Sequence, residues 1–243
     1  MVPNVALGNR VYICIVIIAM FKSLCNLTKL REGLDLMKIL RKIPNHDPSM
    51  HLELVNNKWI PMKEPKNLIS AILVSIPLMI IAASISIGII NAFSSIPLSH
   101  FGLKPDGITF TINLSIFLWL FLLIVMHELI HLILIPNFVK SEKTYIGFTL
   151  FGGFVITEEE ISKSRYILIT IAPFVIISII FPLVLGSLGL LTVTLKFLII
   201  VNAMASSVDL LNLLLIIKQV PKNAILKNNG PNTYWKNTQM KEK

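Results

Sequence analysis

Cysteine is nearly absent from this chain. Of its 243 residues only Cys14 and Cys25 are cysteines, and both lie near the start. That excludes a disulfide framework and any Cys-based zinc site over the remainder. Charge is scarce too, at 14% of residues against 54% hydrophobic, where a soluble domain carries about 25%. So little charge cannot cover a globular surface. Acid is scarcest, with 13 Asp and Glu beside 22 Lys and Arg. No internal repeat or low-complexity tract is evident, which excludes solenoid and array architectures.

What fills the gap is hydrocarbon. Four long apolar runs stand out, at about Asn67 to Phe93, Phe110 to Ile135, Tyr166 to Leu191 and Leu195 to Ile217. About 20 such residues span a bilayer as a helix. The chain therefore reads as a polytopic membrane protein.

A net charge of +9 raises nucleic acid as a partner, but the placement of the charge argues against it. Lys58, Lys63 and Lys66 precede the first run. Lys140, Lys143, Lys163 and Arg165 lie between the second and third, and Lys218, Lys222, Lys227, Lys236, Lys241 and Lys243 follow the fourth. The two other connections hold only Lys104 and Lys196. Positive charge collects on the cytoplasmic side, so both termini of the core and its central loop are expected there, in the cell membrane.

The organisation expected is an N-terminal extension over 1–49, a cytoplasmic segment over 50–66, a four-helix membrane domain over 67–217 and a basic cytoplasmic tail over 218–243. "VYICIVIIAMF" (Val11 to Phe21) is short for a span and lacks a signal cleavage site. Met50 is the expected natural start, and a marginal or interfacial fifth helix is the alternative. Between the second and third spans, Thr144 to Thr157 is rich in β-branched and aromatic residues around Gly152-Gly153, which predicts a small cytoplasmic β-hairpin. Glu158 to Glu160 read as a solvated turn. Pro77, Pro173 and Pro182 fall inside spans, where neighbouring helices can satisfy the carbonyls they free.

Against this background "LFLLIVMHELIHLILIP" (residues 120 to 136) is out of place. Residues four apart share a helix face, so His127 and His131 present two imidazoles to one point. That is half of a tetrahedral zinc shell. Glu128 can reach a water there without being a ligand, the arrangement a metalloprotease requires. A chance H-E-x-x-H in this composition arises on the order of 0.4% of the time. Glu128 is also the only charge between Asp106 and Lys140, and intramembrane acids are functional by default.

A catalytic zinc needs a third protein ligand. His46, His51 and His100 lie outside the spans, and Glu158 to Glu160 sit at an aqueous boundary. Asp209 stands alone between Lys196 and Lys218. It precedes Lys218 by about 13 Å of helix, while His127 and His131 precede Pro136 by about 13 and 7 Å. The depths agree, which makes Asp209 the expected ligand. Asn202, Ser206 and Asp209 share one face, and Asn202 is a candidate to orient substrate or stabilise an oxyanion. Asn212 and Asn113 read as ordinary polar packing.

"HELIH" in one membrane helix and "NAMASSVD" in a later one resemble the site-2 type of intramembrane zinc peptidase. More closely, "MHLELVNNKWIPMKEPKN", "HELIHLILIPNF", "GFTLFGGFVITEEEISKSRY" and "SSVDLLNLLLIIKQVPKNAI" resemble a family of small bacterial membrane proteins described as zincin peptidases. The resemblance covers about Met50 to Trp235. It implies a zinc site of His127, His131 and Asp209 with Glu128 catalytic. The broader site-2 pattern, N-x-x-P-x-x-x-L-D-G, is matched loosely, since Asn202 and Asp209 are one residue closer and the proline and glycine are missing. The hairpin is similar in placement to the membrane-associated β-loop of that type.

The expected protein is thus all-α and polytopic, with about four transmembrane helices and one small hairpin. It is expected to be a Zn²⁺-dependent endopeptidase of membrane or membrane-proximal polypeptides, with the bilayer as its other partner. The rival readings are a metal- or proton-binding transporter, and a non-catalytic zincin-like scaffold or immunity protein.

Overall fold

The computed structural model describes residues 38–96, 103–104, 107–108, 114–149 and 152–238. The Val11 to Phe21 run, both cysteines, His100 and the first residues of the expected second span lie outside the described residues. Among those described, four helices are long and apolar enough to cross a membrane. They are α2 (Leu68–Phe93), α3 (Ser115–Leu134), α4 (Lys163–Ser187) and α5 (Val193–Gln219). A shorter α1 (Pro48–Asn56) precedes them.

Local chemistry sets the ends of these helices. α2 opens on a capping box, in which Asn67 accepts from the Ser70 N–H at 2.8 Å and Ser70 Oγ accepts from the Asn67 N–H at 3.2 Å. This satisfies amides that the first turn leaves free. α3 stops where Pro136 follows, with Asn137 in the left-handed region at φ 53°. α4 contains a π-helical stretch, Phe174–Ile180, directly after Pro173. α5 breaks at Ser206 into Val193–Ala205 and Ser207–Gln219. There Ser206 Oγ donates to the Asn202 carbonyl at 2.9 Å, the back-bond that bends helices.

α2 packs along both halves of α5, α3 lies on α4, and α4 lies on the second half of α5. Small residues permit the close approach: Ala82 and Ala203 enclose Phe174. Hydroxyls join the helices, Ser75 to Ser207 at 3.1 Å and Ser86 to the Ser178 carbonyl at 3.1 Å. Both are usual sources of adhesion where no hydrophobic force separates helix from lipid. The outer face of α2 leaves Ile69, Leu73 and Ile80 exposed.

The strand content corrects the expectation of an all-α protein with one hairpin. One sheet has three strands in the order β1-β5-β6, and another has four in the order β2-β9-β8-β7. The first joins β1 (Lys38–Leu40) in parallel to the hairpin of β5 (Thr144–Thr149) and β6 (Gly152–Thr157). The second joins β2 (Ile60–Pro61), β7 (Ile161–Ser162), β8 (Ala224–Asn229) and β9 (Asn232–Asn237). A two-stranded ribbon, β3 (Leu103–Lys104) with β4 (Gly107–Ile108), lies between α2 and α3.

The four-stranded sheet collects the segment before α2, the connection between α3 and α4, and the chain after α5. All three therefore lie on one side of the helices, as an even number of spans requires. Met62 after β2 and Ala224 and Leu226 of β8 pack in one cluster with Ile216 and Val220 at the end of α5. Each large side chain buried there is worth about 1.5–3 kcal/mol. Residues 44–51 dock on the β8–β9 hairpin. The Asp47 N–H donates to Asn229 Oδ1 at 2.9 Å, and His46 and His51 both bond the buried Tyr234 hydroxyl.

The β5–β6 hairpin is not a loop beyond the helix ends. It runs beside α3, with Gly153 against Glu128 and the Phe148 ring 5.9 Å from that of Phe121. Those two contacts are about 10 Å apart along α3. The hairpin thus enters the depth of the span.

Candidate metal centre

Two histidines and one acid, all within the spans, converge on one point. His127 and His131 come from successive turns of α3. Asp209 comes from the first turn after the break in α5. One donor atom from each lies within 4.8 Å of the others. Asp209 Oδ2 is 3.1 Å from His127 Nε2 and 3.6 Å from His131 Nε2.

The tautomers follow from the outer partners. Asn202 Nδ2 points at the Pro173 carbonyl (3.3 Å) and Ser178 Oγ (2.9 Å). A carbonyl only accepts, so this amide orientation is fixed. Asn202 Oδ1 then faces His127 Nδ1 at 2.9 Å, and Nδ1 must be the donor. His131 Nδ1 likewise donates to the Ile169 carbonyl at 2.8 Å. Both Nε2 lone pairs are left facing the same carboxylate. Acceptors this close repel unless a cation lies between them.

A metal ion fits that description. Tetrahedral zinc with bonds of ~2.0–2.2 Å holds its ligand atoms ~3.4 Å apart, and the two nitrogen–oxygen distances bracket that value. Two imidazoles and one carboxylate are a zinc donor set, and each imidazole carries the outer hydrogen bond that fixes ring orientation. Ligand side chains only 12%, 12% and 27% exposed are withdrawn from bulk water yet reachable.

Glu128 is not in the cluster but lines the same cavity, about 210 Å³ in volume. Its other lining residues include His131, Asp209, Tyr166 and Asn212 from the helices, with Gly153, Phe154, Val155 and Thr157 of β6. Among the described residues β6 is an edge strand, so one row of its backbone groups has no sheet partner there. Asn228 of β8 closes the side toward the four-stranded sheet.

Asn202, expected to orient substrate or stabilise an oxyanion, sits behind His127 instead. It is buried, does not line the cavity, and spends its whole amide on His127, Pro173 and Ser178. Ser206 is buried against its own helix. The other candidates lie elsewhere: His46 and His51 are on Tyr234, and Glu159 accepts from Ser141 Oγ at 2.8 Å.

Three contributors escape the sequence reading. Gly153 makes room for Glu128, the Ile169 carbonyl holds His131, and Asn212 reaches the cavity with an amide oxygen that is buried and lacks a hydrogen-bond partner among the described residues. The only prior signals were a double glycine and an asparagine one turn beyond Asp209.

The arrangement of two histidines, a nearby glutamate and a distant acid agrees with an independent comparison. Residues 120–225 match the family model described as "Putative zincin peptidase". This is the family that the sequence resembles. The matched region holds His127, Glu128, His131 and Asp209, together with the β5–β6 hairpin. It supports a metallopeptidase. Neither a comparison with curated proteins nor one with solved structures finds a match.

Proposed function

We propose that this chain is a zinc-dependent, membrane-embedded endopeptidase that cleaves membrane or membrane-proximal polypeptides. One observation carries the proposal: Glu128, His131 and Asp209 line one cavity together with Gly153, Phe154, Val155 and Thr157 of β6, an edge strand among the described residues. A metalloprotease needs a base beside its metal ligands and a surface that presents an extended peptide to both.

His127, His131 and Asp209 would hold the ion. Zinc there would polarise the scissile carbonyl and acidify a water. Glu128 takes the proton of the attacking water and returns it to the departing amine nitrogen. The open edge of β6 receives the substrate as an added strand. Strand addition answers two needs. A helical substrate hides its carbonyls and must unwind, and an unpaired sheet edge at membrane depth is tolerated only where it lines a cavity. Asn202 acts through His127 as a positioning residue. The lysine distribution supports a cytoplasmic side for both termini of the core.

The test combines metal analysis with hydrolysis of a membrane-anchored peptide by purified protein. Wild type should carry about one zinc per chain, as one three-ligand site predicts. Glu128→Gln should keep that zinc and lose turnover by about 10²–10⁴-fold. Full turnover in Glu128→Gln would sink the mechanism, and metal flux without hydrolysis would favour transport.

A further inference from the structure

Pro173 stands in the middle of a span, four residues after Ile169. In an α-helix the carbonyl of residue 169 accepts from the N–H of residue 173, and proline has none. Its ring also crowds that carbonyl and tilts it off the helix axis. The freed Ile169 oxygen is the one that accepts from His131 Nδ1 at 2.8 Å. Pro173 offers its own carbonyl as well, at the start of the π-helical stretch, and this oxygen accepts from Asn202 Nδ2 at 3.3 Å. Asn202 in turn holds His127 Nδ1 at 2.9 Å.

We infer that Pro173 is a positioning residue for the metal centre: by withholding one N–H and displacing the π-helical turn, it supplies the outer hydrogen bond of both histidines. The inference rests on the zinc reading above. A single backbone irregularity in α4 thus sets two imidazoles of α3, His131 directly and His127 through Asn202. Each keeps its proton on Nδ1 and its lone pair on Nε2.

Pro182 provides an internal comparison. It lies in the same span, is also buried, and stands four residues after Ser178, whose carbonyl accepts from Ser86 Oγ at 3.1 Å. There the nearby carbonyl serves a helix–helix bond between α4 and α2. Proline in this span is therefore not special to the metal. What is special is which side chain takes the carbonyl four residues before it.

The experiment measures zinc affinity of the full chain by chelator competition, in wild type, Pro173→Ala and Pro182→Ala. Helix content and melting are followed in parallel. Pro173→Ala restores the N–H, draws the Ile169 carbonyl back and should weaken zinc by about 10–100-fold, the usual effect of losing an outer-shell partner. Pro182→Ala should leave the affinity unchanged. Wild-type affinity in Pro173→Ala, or equal loss in both variants, overturns the inference and leaves the zinc reading intact. Failure of wild type to bind zinc through His131 overturns both. Nitrogen NMR of histidine-labelled, zinc-loaded wild type tests it without any substitution. Two protonated Nδ1 and two metal-bound Nε2 are expected, and metal on His131 Nδ1 overturns it.

Discussion

Gly153 lies against Glu128 so closely that a Cβ on it would meet the glutamate Cγ and stand 3.0 Å from Cδ and Oε1. Contact that tight leaves no room for a methyl group, and the neighbour that must yield is the proposed base. Gly153→Ala should therefore move Glu128 without touching His127, His131 or Asp209. Zinc content and melting should stay near wild type. Peptide hydrolysis should fall on the order of 100-fold, the effect of about 1 Å of misplacement. Normal hydrolysis would show that Glu128 has space in solution that the packing denies it.

Asp209 separates a ligand from a helix-packing acid. Asp209→Asn is nearly isosteric, and removal of an intramembrane charge lowers the cost of insertion, so expression and helix content should hold. Zinc affinity should drop by more than about tenfold, at least as much as loss of an outer-shell partner produces. Activity should disappear with it. Zinc binding at wild-type strength, measured by the same chelator competition, would remove Asp209 from the ligand set. Asp209→His restores an imidazole donor and is expected to regain metal before it regains turnover.

How far the sequence carried depended on the range of the signal. Spans are long and uniform, so α2, expected from Asn67 to Phe93, is observed as Leu68–Phe93. The motif on α3 is local to one helix, and Asp209 was reachable because depth is counted in residues from a membrane boundary. The four-stranded sheet was not read because β2 and β7 have two residues each, too short to show alternation. The β8–β9 turn did carry an Asn229-Gly230 signal, with Gly230 at φ 56°, but it lay in a stretch read for its lysines. Asn202 was read on one face with Asp209 and expected to meet substrate, and it bonds His127 Nδ1. A face fixes direction, while the contact with His127 depends on how α5 lies beside α3. Pro173 was legible as a freed carbonyl, but nothing local could name His131 as its partner.

Outside the membrane, Glu64 offers a test of pH dependence. It is half-buried under the four-stranded sheet and accepts from the Thr233 N–H at 2.9 Å. Burial pushes its carboxyl above the ordinary value, and the hydrogen bond from Thr233 offsets this only in part. A group raised on folding contributes stability that is fully present below its unfolded value of about 4.5, lost as pH rises through the folded value. Glu64→Gln stays neutral and still offers an oxygen to Thr233. It should melt higher than wild type at pH 7, with each kcal/mol worth about 2–4 °C in a chain of this size. Below pH 4.5 the two should coincide. A wild-type melt that is higher at both values would mean that the charged form is the stabilised one.

Asn212 should show opposite effects on stability and turnover. Its amide oxygen is buried with no hydrogen-bond partner among the described residues, and such a group costs about 1–3 kcal/mol. It lines the cavity one turn beyond Asp209, in company with residues of β6. A peptide strand paired to β6 turns half of its N–H groups away from the sheet, toward α5, where Asn212 carries an acceptor. Asn212→Leu keeps the volume and removes the orphan, so the melting midpoint should rise by a few degrees, at about 2–4 °C per kcal/mol. In the same variant kcat/KM should fall by about tenfold, the value of one hydrogen bond made to substrate. Zinc affinity should not change, because Asn212 touches none of the three donors. A variant that loses stability and activity together would make Asn212 a packing residue, and the far wall of the cavity would then have no acceptor for the strand.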